Sequence, residues 1–383
     1  MKRDVLLIGL ASLAARVAFV MVLGVRNAPD TAWYIAEAVR WRESGAGPLS
    51  LLSLGEARSP LFVALLAGLQ SFIDNWRLAL VGIQTLLSAA VPVALYLAAR
   101  GGGVGRRGAW TSAMLAIASF ELSRWNAYVL TDALFIVFSG TAMCAAIAAL
   151  STRRIVWAVT TGALVIGALL TRPAGPAVAF AVVLAACLVR PPALRVVAGA
   201  GVVIAAVVAL ESYLSRSETG RPLAIHACTQ LIQGRVIFGQ FDSAPLTDVD
   251  VPGETSTARC LMQVVREHPR HVANVIARRA IVYWLPVYPN YSTRHNLANL
   301  FLLGVPLILA GVGLVVGRRG FRDDVVRVVG ASFVVGFGLF HTATWSEGDH
   351  RFLAPVLLAI YLLAGLVVDR FLSDLPVARD LGR

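Results

Sequence analysis

Apolar residues run along this chain in blocks of about twenty, and the polar residues between them gather in short loops. The pattern predicts membrane spans near 5–25, 77–99, 108–122, 130–150, 155–171, 174–189, 194–212, 298–317, 325–343 and 351–370. A span needs about 20 residues to cross the hydrocarbon. The apolar run 60–73 is different: its 14 residues reach about 21 Å at 1.5 Å per residue, too short to cross. It is read as a helix lying at the membrane interface, opened by Pro60 at its first position. Two long polar intervals interrupt the blocks, 26–76 and about 213–297. The second predicts an amphipathic helix near 256–284, broken or restarted at Pro269.

Composition sharpens this into a class. Of 383 residues 57% are hydrophobic and 15% charged, with a mean hydropathy of +0.72. Soluble domains carry about 25% charged residues, so the expected fold is an all-α polytopic membrane protein with about ten transmembrane helices and an interfacial helix in the first outer loop. Three regions follow: 1–212, an N-terminal transmembrane module with the first outer loop; 213–297, an extracytoplasmic loop subdomain; and 298–383, the C-terminal transmembrane helices.

The net charge of +12 does not point to nucleic acid. With 60–73 not crossing, Lys2 and Arg3, Arg100, Arg106 and Arg107, Arg153 and Arg154, Arg190 and Arg195, Arg318, Arg319 and Arg322, and Arg370, Arg379 and Arg383 fall on one side. That is the positive-inside pattern, and it predicts a plasma-membrane protein with both termini cytoplasmic. MKRD followed by apolar residues resembles a signal peptide, but no small-residue cleavage site follows, so a retained first helix is expected. Cys144 and Cys187 fall within spans as small apolar residues. Cys228 and Cys260 share the second long loop, where an oxidising compartment allows a disulfide. No CxxC or HExxH is present, so no metal cofactor is expected. RGGGVGRRG at 100–108 lacks the Lys-Ser/Thr of a phosphate-cradling loop and reads as a flexible turn.

The remaining ionisable residues gather on the other side. Asp30, Tyr34 and Glu37 recur at helical spacing and can share one face. Arg58 precedes Ser59 and Pro60. Asp132 opens a span in YVLTDALF; it is either a carboxylate favoured by the helix dipole or a site acid, since acids at membrane depth are costly. Arg172 in LLTRPAG either snorkels to the interface or binds an anion. Glu347, Asp349, His350 and Arg351 crowd the last loop beyond what a turn needs.

Taken in order, PDTAWYIAEA, ARSPLFVALL, LTDALF, LLTRPAG and EGDHRFLAPVLL resemble the GT-C superfamily of membrane glycosyltransferases. The resemblance is to the branch containing protein O-mannosyltransferases and the lipid A aminoarabinose transferase. It implies an inverting transfer from a polyprenyl-phosphate sugar donor to a glycan, lipid or protein acceptor. Asp30 matches the family's catalytic base, Arg58 its basic residue before proline, and Arg351 is similar to the arginine of its last-loop motif. The family's first loop often pairs two acids; here Thr31 follows Asp30. Substrate-binding positions expected beside the base are Tyr34, Glu37, Arg58, Asp132, Arg172, His350 and Arg351. The chemistry fits, because such a transfer needs a base for the acceptor proton and cations over the departing phosphate. Two rivals are a transporter or flippase, and an O-antigen polymerase- or ligase-like transferase. The first is opposed by charges gathered at helix ends rather than along a path. The second requires its catalytic arginines and histidine in a late loop, with the first loop dispensable.

Overall fold

The computed structural model describes residues 1–45, 59–189, 223–236, 242–246, 249, 257–288, 291–315, 324–344 and 351–374. Among them the secondary structure is helical, joined by turns and one isolated bridge between Arg26 and Tyr128. The first half comprises α1 (Lys2–Leu23), α2 (Thr31–Glu43), α3 (Pro60–Phe72), α4 (Trp76–Gly101), α5 (Arg106–Ala118), α6 (Phe120–Arg124), α7 (Asp132–Thr152), α8 (Ile155–Thr171) and α9 (Gly175–Val189). The second comprises α10 (Leu223–Ile232), α11 (Thr257–Glu267), α12 (Pro269–Trp284), α13 (Thr293–Val315), α14 (Val325–Ala343) and α15 (Ala354–Asp374).

Among the described residues six helices are long and apolar enough to cross a membrane: α1, α4, α7, α13, α14 and α15. These account for six of the expected ten, and the other four differ for identifiable reasons. The run 108–122 is not one helix: Ser119 leaves helical geometry with ψ 113°, so α5 has 13 residues and a separate short helix follows. α8 and α9, with 17 and 15 residues, sit at or below the length that spans. The segment 194–212 lies outside the described residues. α3 has 13 residues and is shorter than a span, as its length implied. It buries Phe62, Val63, Leu66, Ala67 and Leu69, packing against α2, α4 and α8.

The first helix is inside-out relative to a helix of a soluble bundle. α1 buries Asp4, Ile8, Ser12 and Arg16, one stripe at four-residue spacing, and exposes Leu6, Leu10, Met21 and Val22. α7 and α15 form the centre, buried over most of their lengths. The crossing of α5 and α15 is close because both contribute glycine: a Cβ on Gly108 would meet the Gly365 carbonyl at 2.5 Å, and one on Gly365 would meet Ser112 Oγ at 2.1 Å. Beside it, Asp369 accepts from the Gly105 N–H at 2.9 Å and the Gly108 N–H at 3.4 Å. The glycine-rich turn is thus pinned rather than flexible. At the same end Arg106 forks onto Asp4 at 2.6 and 3.0 Å, tying α5 to α1.

Beyond the opposite end of the bundle, α10, α11 and α12 enclose a small apolar core of Leu231, Ile232, Val264, Val272 and Val275. A disulfide joins Cys228 to Cys260, with 6.3 Å between their Cα atoms. Cys144 and Cys187 are not disulfide-bonded. His271 Nε2 lies 2.8 Å from the Leu231 carbonyl. Arg279 is fully buried and donates to the Arg235 carbonyl at 2.9 and 3.1 Å and to the Ala343 carbonyl at 3.1 Å. Burial lowers its pKa to about 10, so this cation holds the subdomain onto the end of α14 through carbonyls.

Candidate active site

Four segments meet at the end of the bundle that carries the subdomain. The first is the turn before α2. Its backbone is tied to the segment before α7: the Arg26 N–H donates to the Ala127 carbonyl at 2.8 Å, and the Val129 N–H to the Arg26 carbonyl at 3.0 Å. Thr31 reinforces the tie, since its hydroxyl accepts from the Ala28 N–H at 2.8 Å and donates to the Val129 carbonyl at 2.9 Å. From α4, Gln84 Nε2 donates to the Leu130 carbonyl at 2.9 Å. Asp30 and Asp132 are thus held on one face by the backbones that precede their helices.

Asp132 is the buried centre, with its side chain 1% exposed. It receives Arg172 Nη1 from the α8–α9 turn and a two-pronged contact from Arg351, Nε at 2.9 Å and Nη2 at 3.0 Å. Asp132 stands in the first turn of α7, as the helix-dipole reading expects, and also faces arginine. The carboxylate is a counter-ion for two arginines, and the guanidinium is buried in an ion pair rather than snorkelling. Arg351 also reaches Asp30 Oδ2, from Nη2 at 3.4 Å and Nη1 at 3.5 Å. Asp30 is more than half exposed, at 55%. It occupies the N-cap position of α2, yet its side chain makes no capping hydrogen bond.

Among the described residues the cluster sets two carboxylates against two guanidiniums, and the contacts are unequal. A pair with one partner this exposed contributes about 0–1 kcal/mol. Removing one partner of a buried pair costs about 3–5 kcal/mol. Asp132 therefore fixes Arg351, while Asp30 touches it loosely.

Aromatic rings frame the cluster. Arg351 lies over the Trp125 ring at 5.7 Å, and Arg124 over the same ring at 4.3 Å. Arg172 lies over Phe352 at 5.1 Å. Phe352 stacks on His341 at 4.6 Å, and His341 on Tyr283 at 5.1 Å; the Tyr283 hydroxyl donates to the Phe352 carbonyl at 3.3 Å. Arg124 also pairs with Glu121 at 2.9 Å. Sequence reasoning missed Arg124 and Trp125; their signal is the i,i+3 acid–arginine spacing beside an indole in FELSRWN.

The other expected positions fare differently. Tyr34 is buried edge-on against Phe62 at 5.1 Å, and Glu37 is buried and paired with Arg40 at 3.0 Å. Tyr34 thereby packs α2 against α3, and Glu37 is buried one turn further along the same helix. Arg58 and His350, with Glu347 and Asp349, lie outside the described residues. Among the described residues no group of three or more His, Cys, Asp or Glu side chains gathers to hold a metal ion. A cleft of about 360 Å³ opens beside Asn27, lined also by Asp74, Asn75, Trp76 and Arg77.

The fold and this cluster define a multi-pass helical membrane protein with an acid–arginine centre at one end of its bundle. In comparison with known proteins, no family model and no curated sequence matches the chain.

Proposed function

We propose that the chain is an inverting membrane glycosyltransferase that moves a sugar from a polyprenyl-phosphate donor to an acceptor hydroxyl or amine on the extracytoplasmic face. The observation that carries this reading is the placement of Arg351. It is locked by Asp132 on one side and loosely held to an exposed Asp30 on the other. A phosphate arriving at that loose edge competes with a contact worth about 0–1 kcal/mol. Arginine matches phosphate oxygens in a fork, so the donor takes over the edge and leaves Asp30 unpaired.

The chemistry then divides between the two residues. Asp30 accepts the proton of the acceptor nucleophile as the new glycosidic bond forms at the anomeric carbon. The bond from that carbon to the phosphate oxygen breaks, and the electron pair leaves with the phosphate. Arg351, with Arg58 as a second cation from the first loop, stabilises that charge as it grows. Asp132 and Arg172 act through Arg351. The cleft beside Asn27 offers carboxylate, amide and guanidinium groups to acceptor hydroxyls three residues from the base. The charge distribution favours a plasma-membrane orientation with both termini cytoplasmic.

Mass spectrometry of lipids and glycans from cells with and without the gene tests the reading. Loss of a glycosylated product and accumulation of a sugar-linked polyprenyl phosphate are expected. Identical profiles would contradict it.

A further inference from the structure

Arg16 is a guanidinium inside a span. It lies on the inward stripe of α1, seven residues before the helix ends, and is 1% exposed. Nε donates to Ser88 Oγ at 2.7 Å and Nη1 to Ser12 Oγ at 3.0 Å. Its partners among the described residues are hydroxyls, not carboxylates. As filler the residue makes poor sense, because methionine or leucine occupies the same space without desolvating a charge.

Its contacts lead to the acid–arginine centre. Ser88 accepts a second hydrogen bond, from Asn126 Nδ2 at 3.2 Å. Asn126 is fully buried in the single 3-10 turn Trp125–Ala127. That turn carries the indole beneath Arg351 and the carbonyl that receives the Arg26 N–H. Asn126 Oδ1 and Gln84 Oε1, the latter one helical turn from Ser88 on α4, are buried acceptors without a partner among the described residues. They place negative partial charge near a cation that has no carboxylate of its own.

We infer that Arg16 is a positioning residue: through Ser88 and Asn126 it holds the Trp125 turn, and thereby the angle at which Arg351 presents its loose edge to Asp30. The kinetic part of this inference rests on the transferase reading; the geometric part does not.

The test uses the full chain in lipid nanodiscs and phenylglyoxal, with modification of each arginine followed by peptide mass spectrometry. Arg370 is the control, since its exposure (11%) is close to that of Arg351 (13%) and it pairs with Asp324 at the far end. Arg16→Met is expected to raise the modification rate of Arg351 about five- to thirtyfold, the factor that one or two lost hydrogen bonds give, with Arg370 unchanged. Ser88→Ala, a milder change that leaves Ser12 in place, is expected to raise it in the same direction. Adding Ser88→Ala to Arg16→Met is expected to change nothing more, because both act through one relay. In the transfer assay Arg16→Met is expected to lower kcat while donor KM stays near that of the parent. An unchanged Arg351 rate in Ser88→Ala, or Arg370 rising in parallel, overturns the inference. A parent protein that transfers no sugar ends the transferase reading, and the arginine rates still decide the role of Arg16.

Discussion

Arg351 lies 3.4 Å from Asp30 although 321 positions of chain separate them. The contact joins the first interhelical loop to the last, and its weakness is the useful property. Arg351 is anchored at 2.9 and 3.0 Å by Asp132, so loss of the Asp30 contact leaves it in place. An anion can then enter without dismantling the fold.

Arg351→Ala removes the fork that faces the donor, but Asp132 keeps Arg172. Steady-state kinetics should show a raised donor KM and a kcat lower by roughly 10²–10³-fold, the scale for losing one charge-stabilising donor. Arg351→Lys should restore only part of this, because a point charge cannot make two parallel contacts. Full activity in the lysine variant would show that the planar fork is unimportant.

Asp132→Ala removes the shared counter-ion of buried Arg172 and part-buried Arg351. The expected cost is about 3–5 kcal/mol, seen as a large fall in thermal unfolding temperature in detergent. Asp30→Ala should cost about 1 kcal/mol or less, because that pair is mostly solvent-screened. Equal losses in the two variants would overturn the division between a locked and a loose contact.

How much of this was legible beforehand differs by residue. Asp30, Asp132, Arg172 and Arg351 stand out in sequence because each is an ionisable group at the edge of an apolar block, where a charge is costly without a role. Their convergence was not legible, because it depends on a backbone bridge, Arg26 to Ala127 and Val129, made of groups every residue carries. Thr31, which follows Asp30, proves to be the side chain that fastens this bridge. For Tyr34 and Glu37 helical spacing placed the two on one face but did not say that both are buried, Tyr34 against Phe62 of α3. Arg16 was hidden inside an apolar block that hydropathy averages into a span. The break at Ser119 was equally hidden, since serine is tolerated within helices and the flanking residues are apolar.

The disulfide between Cys228 and Cys260 closes a loop between positions 32 apart. In the chain-entropy account such a closure stabilises by about 3–4 kcal/mol. Alkylation of the unfolded, unreduced protein should label Cys144 and Cys187 and spare Cys228 and Cys260. Reduction should lower the unfolding temperature. Four labelled thiols without reductant would exclude the bond in the mature protein.

Orientation follows from the charge pattern and has a direct readout. In a background lacking Cys144 and Cys187, Asp74→Cys, next to the cleft, should react with a membrane-impermeant maleimide in intact cells. Arg107→Cys, at the Asp4–Arg106 end, should react only after permeabilisation. Reaction of both in intact cells would invalidate the assigned topology.

The proposed transfer of the acceptor proton to Asp30 is read out by Asp30→Asn. Asparagine keeps the size and capping ability of the side chain but cannot act as the base. Since the native carboxylate makes no capping bond, the variant is expected to fold with a near-parental unfolding temperature and to bind polyprenyl-phosphate donor. Its single-turnover rate of transfer should fall roughly 10²–10⁴-fold. A well-folded Asp30→Asn protein that transfers sugar at the parental rate would contradict the account.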